Sequence, residues 1–124
     1  MRGMGFTQTN QEWPSGVTHA RIWDIGATWK DLHLAPGVFD WSRLDEVIAK
    51  MKENGINHLT YVVCSTPRWA AQDPDAPHYA PWLGPGTNSL PGDPNNSWKP
   101  FVWELSDRYK GVINAYEIWN ECQL

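Results

Sequence analysis

The residues of this 124-residue chain best suited to chemistry are two glutamates, an arginine and several indoles near the ends of predicted strands. Trp119, Asn120 and Glu121 follow directly on the apolar run Val112 to Ile118. A carboxylic acid at the exit of a buried strand, beside an amide and an indole, suits sugar chemistry. The acid can protonate a departing glycosidic oxygen, the amide can hydrogen-bond a ring hydroxyl, and the indole can stack on the apolar side of a pyranose. Alternation along the strand puts Glu117, Trp119 and Glu121 on one face, so Glu117 lies deeper in the interior that Glu121 would open into. A buried carboxylate needs a partner. Arg21 is the available cation, and its guanidinium fork suits the task. Strict alternation also sends Asn120 away from Glu121, so the strand must twist or bulge at its end for both to reach one sugar.

The elements that would position these residues can be read in chain order. Met4 to Thr9 reads as a short strand, and Ala20 to Ala27 as a second one carrying Arg21, Ile22, Trp23 and Asp24. A turn at Pro36-Gly37 leads into a helix that Asp40 or Ser42 can cap, with Asp45 as the capping-box partner of Ser42 and Gly55 as the stop. Leu44, Val47, Ile48 and Met51 form its buried stripe. His58 to Ser65, rich in Val, Thr and Tyr, reads as a third strand buried on both faces. Pro67 to Pro100 holds eight of the ten prolines, so it is neither a continuous helix nor a central strand. Trp98, Phe101, Val102, Leu105 and Tyr109 then mark a second amphipathic helix, ended by Gly111, that returns the chain to a fourth strand. This order predicts an α/β fold with a parallel sheet and functional loops at the carboxyl ends of its strands.

Four motifs resemble, in order and spacing, the first half of a retaining clan A glycoside hydrolase of the family 39 type. They are Arg21-Ile22-Trp23-Asp24 followed by Trp29; Gly37-Val38-Phe39-Asp40-Trp41 with Leu44-Asp45; Ser65-Thr66-Pro67-Arg68-Trp69-Ala70; and Tyr116-Glu117-Ile118 running into Trp119-Asn120-Glu121. The resemblance covers about Arg21 to Glu121. It implies a partial (β/α)8 TIM barrel, with residues 1–124 as one partial domain of about four parallel strands and 67–100 as a long loop within it. It also implies that Glu121 is the general acid and base and that Asn120 holds the 2-hydroxyl of the sugar next to the bond being cut. Arg21, Asp24, Trp29 and Trp69 would fall in the sugar pocket, and the arginine of the second strand would support the nucleophile. That nucleophile is a second glutamate at the end of a seventh strand, which this chain lacks. Retaining hydrolysis needs two carboxylates about 5 to 5.5 Å apart, so Glu121 can be only one of them. The favoured reading is a sequence cut from a longer enzyme. A homodimer of half-barrels, an inactive remnant, and a non-catalytic carbohydrate-binding or structural module are the alternatives. The edges of such a half-barrel call for a missing half or a second copy to cover them.

Composition narrows the partners. Eightfold barrels typically need about 250 residues, so half is expected to be missing. The net charge of −4 and isoelectric point of 5.4, with no Lys/Arg run, argue against nucleic acid or an anionic membrane. No apolar stretch approaches the roughly 20 residues of a membrane span, and Met1-Arg2-Gly3 is not followed by a signal-peptide core, which leaves cytoplasmic and secreted locations both open. Of the nine tryptophans, Trp41, Trp98 and Trp103 are expected as core or loop anchors. His19, His33, His58 and His78 show no metal-ligand spacing, and no cofactor motif is present. Cys64 and Cys122 lie near the ends of adjacent predicted strands and are expected as free buried thiols.

Overall fold

A computed structural model of the protein describes residues 3–6, 15–75 and 92–119. The chain runs β1 (Gly3–Phe6), β2 (His19–Ile22), α1 (Trp29–Leu32), β3 (His33–Ala35), β4 (Val38–Phe39), α2 (Ser42–Glu53) and β5 (His58–Val63). A 3-10 turn at Arg68–Ala70, α3 (Trp98–Arg108) and β6 (Ala115–Ile118) follow. β1, β2, β5 and β6 form one sheet in that order, each pair parallel. β3 and β4 make a separate antiparallel hairpin across Pro36-Gly37, where Gly37 takes a φ of 72°.

The helices share one face of the sheet. Ala20, Ile22, Leu59, Tyr61 and Val63 pack in a single buried cluster with Leu44, Val47, Ile48 and Met51 of α2, Phe101 and Leu105 of α3, and Trp29 and Leu32 of α1. The alternate strand residues look the other way, where Val62, Cys64 and Trp119 form a smaller cluster with Trp23 against it. We call this second side the open face.

Local chemistry explains the elements. The N-cap of α2 is Trp41, without a side-chain cap, rather than Asp40 or Ser42; one residue before it, Asp40 Oδ1 accepts from the Ser42 backbone amide at 3.0 Å and the Ser42 hydroxyl at 2.6 Å. These bonds hold its carboxyl below the usual carboxylate range. Asp45 does not close a capping box with Ser42. It accepts from Arg108 Nη2 at 2.6 Å and from the Tyr109 hydroxyl at 2.7 Å, tying α2 to α3, because charged partners lie within its reach across the helix pair. Gly55, at φ 77°, ends α2 in a Schellman motif, with its amide on the Lys52 carbonyl and the Ile56 amide on the Met51 carbonyl, both at 3.0 Å.

Four features depart from the sequence reading. The second strand ends at Ile22 rather than Ala27, because Asp24 and Gly26 take positive φ and turn the chain out of the sheet. The short helix α1 and the β3–β4 hairpin fill the stretch before α2. β6 is not buried on its helix side, where Tyr116 is 38% and Ile118 53% exposed, since α3 packs over the neighbouring cluster. Trp103 is 71% exposed rather than an anchor, because the buried stripe of Phe101 and Leu105 runs along the opposite side of α3. Among the described residues no helix is long and apolar enough to cross a membrane.

Candidate functional site

Arg21 and Glu117 meet on the open face. Arg21 Nε donates to Glu117 Oε2 and Arg21 Nη2 to Oε1, both at 2.7 Å, so the fork and the carboxylate are fully matched. Arg21 is in register with Thr60 and Glu117 with Val62, so the pair arches over β5 from β2 to β6. The guanidinium hydrogen bonds hold the Glu117 carboxyl below the usual carboxylate range, more than offsetting its partial desolvation. Glu117 is therefore an ionised acceptor at neutral pH rather than a proton donor. With the two side chains 33% and 42% exposed, the pair contributes no more than about 1 kcal/mol of stability, and its main effect is orientation.

Trp23 extends this constellation and was not singled out from the sequence. It is half-buried against Val62, Cys64 and Trp119, with the Arg21 guanidinium 5.7 Å from its ring centroid. The signal was present: Trp23 lies two residues after Arg21, and one strand period puts both on one face.

The exits of three neighbouring strands share a second property. Asp24, Ser65 and Trp119 are the non-glycine residues with positive φ among the described residues, at 51°, 63° and 66°. Asp24 and Ser65 lie two residues past β2 and β5, and Trp119 lies one residue past β6. Left-handed backbone is costly for side chains, on the order of 1 to 3 kcal/mol each, and a bulky residue there is a true outlier. Such strain collects where a chain is bent for a purpose. At Trp119 the bend follows the last ladder bond, from its amide to the Val63 carbonyl at 2.9 Å, and the side chain packs on the open face with Val62 and Cys64. Asn120 and Glu121 themselves lie outside the described residues.

The remaining expected site residues divide. Asp24 is exposed at the exit of β2. Trp29 is fully buried on the helix side, stacked on Phe101 at 5.4 Å and edge-on to Trp98 at 5.0 Å. Asp31 accepts from the amide and hydroxyl of Thr28, starting a helical turn that carries Trp29 under α3 and away from the open face. Trp69 is half-buried against the same core and donates its indole proton to the His33 carbonyl at 2.9 Å. Both indoles surround His33 rather than presenting a face to a ligand on the open side. The His33 ring is buried, accepts the Trp29 indole proton at Nδ1 (3.1 Å), and stacks on Phe39 at 4.2 Å. Its Nε2 has no hydrogen-bond partner, and burial lowers its pKa to about 4.

Cys64 is buried on the open face, and burial pushes its thiol pKa up, so it is not poised as a nucleophile. Its possible neighbour Cys122 lies outside the described residues. Among the described residues no three His, Cys, Asp or Glu side chains gather into a metal site. The arrangement thus offers a fixed ion pair, an indole against a cation, and bent strand exits: a frame for holding a polar ligand beside whatever group performs chemistry. Compared with family models, curated proteins and solved structures, the chain matches none of them.

Proposed function

We propose that the chain is the first half of a (β/α)8 retaining glycoside hydrolase, with Glu121 as general acid and then general base. The observation that carries this reading is the alignment of three bent strand exits, at Asp24, Ser65 and Trp119, on one edge of a parallel sheet. The last of them stands immediately before Asn120-Glu121. Catalytic groups of parallel α/β barrels sit at that edge, and backbone strain there favours a functional rim over a plain loop margin.

In the proposed reaction Glu121 gives its proton to the departing glycosidic oxygen while a second carboxylate, supplied from outside these residues, attacks the anomeric carbon. Glu121 then takes a proton from water as the water displaces that carboxylate, which regenerates both groups. Its pKa must be raised for the first step, by apolar walls and by the charge of the nucleophile. Asn120 holds the adjacent sugar hydroxyl. Arg21, fixed by Glu117, supplies a positive field beneath the nucleophile, and the exposed Asp24 is left for substrate.

Glu121→Gln in the complete protein tests the assignment. Hydrolysis of an oxygen-linked disaccharide should fall by about 10²- to 10⁴-fold, the usual contribution of a positioned acid. An activated aryl glycoside, whose leaving group needs no proton, should suffer less in its first step. Unchanged turnover of the disaccharide removes Glu121 from the mechanism. Saccharide binding by the unaltered protein with no turnover favours the carbohydrate-binding alternative.

A further inference from the structure

At the other end of the open face, away from the strand exits, β2 and β5 begin with histidines in direct register, His19 opposite His58. Their rings stand side by side, centroids 4.5 Å apart and planes inclined by 34°. The amides of Asn57 and His58 both donate to the Thr18 carbonyl at 3.1 Å, so the backbones carrying the pair are bonded to each other. On its other flank His19 is in register with Gly3 of β1, which brings no side chain to the site.

One more contact gives the pair a direction. Thr18 Oγ1 lies 2.8 Å from His19 Nδ1. When the hydroxyl accepts the Nδ1 proton, the free lone pair is on Nε2, the tautomer that metal-ligating imidazoles adopt when their second nitrogen is held by a neighbour. His58 is exposed, and the terminal torsion of a histidine side chain is broad, so its ring can swing out of the stack to bring a nitrogen alongside.

From this juxtaposition we infer that His19 and His58 form an open two-histidine chelate for a first-row transition metal ion. No third His, Cys, Asp or Glu joins them among the described residues, so water fills the other positions and the ion exchanges freely. Imidazole donors suit Cu²⁺, Ni²⁺ and Zn²⁺, with Cu²⁺ held most tightly. The site is independent of the hydrolase reading, because it lies at the opposite ends of the strands.

The test uses the full chain and Cu²⁺ alone, read by calorimetry and electron paramagnetic resonance. One equivalent should bind with two nitrogen ligands, followed by Ni²⁺ and Zn²⁺ in weaker order. His58→Ala, at an exposed position, should leave metal-free unfolding unchanged, weaken Cu²⁺ binding by more than about tenfold, and drop one nitrogen from the spectrum. Thr18→Val should weaken binding by about tenfold with both nitrogens kept. Absence of Cu²⁺ binding by the unaltered chain overturns the assignment. So does binding that is the same in His58→Ala, or that is lost in His78→Ala instead.

Discussion

Along β2, Ala20 and Ile22 face the helices while Arg21, between them, reaches over β5 to Glu117. The two faces of the sheet are made by alternate residues of the same strands, yet they are built for different ends. The helix side is dry and aromatic: Ile22, Leu59, Tyr61 and Val63 are each 1% exposed beneath Trp29, Phe101 and Leu105. The open side mixes a half-exposed ion pair, a histidine pair and a few indoles. The lesson is a division of labour. Apolar burial on one side carries the fold, so the other can hold groups that add little stability but can meet a ligand.

The sharpest way to break this comparison is at Trp29. Trp29→Ala should cost about 3 to 5 kcal/mol in urea unfolding, because a fully buried indole leaves a cavity and removes the hydrogen bond to His33. A loss below about 1 kcal/mol would mean the helix side does not carry the fold.

Acid should act on the same side with a somewhat smaller effect. Folded His33 takes a proton only near pH 4, whereas the unfolded side chain does so near 6.5. Above 6.5 neither state is protonated and this group contributes no pH dependence. As pH falls from 6.5 towards 4, only the unfolded chain gains the proton, so stability should fall by up to about 3 kcal/mol. Denaturation curves across that window should lose this slope in His33→Phe; an equal slope in both proteins assigns the acid sensitivity elsewhere.

The open face should show the smallest stability change. Glu117→Gln should cost no more than about 1 kcal/mol, since both partners are partly in water. A loss above about 2 kcal/mol would make the ion pair part of the structural core and erase the contrast between the faces.

Much of this was legible in the residues. Leu44, Val47, Ile48 and Met51 at helical spacing are all buried, and Gly55 ends the helix. Arg21 and Glu117, placed on one face by strand alternation, do pair, although Glu117 is half-exposed rather than the buried carboxylate that was expected. What escaped depended on contacts distant in sequence. The burial of Trp29 follows from the Thr28–Asp31 turn and its bonds to the end of β5, with the Trp29 amide on the Cys64 carbonyl at 3.0 Å. Proximity to a strand end suggested the wrong face. The His19–His58 pair is invisible to linear spacing, because two residues 39 positions apart become neighbours only through strand register. Trp103 shows the converse: an indole is no proof of burial when its helix turns it outward.

β6 stands at one end of the described sheet, as β1 does at the other. Along it Tyr116 and Ile118 expose apolar surface on the helix side. Apolar side chains in water on an end strand are a liability, so self-association should nucleate at this margin as concentration rises, and a lysine in place of Tyr116 should delay it.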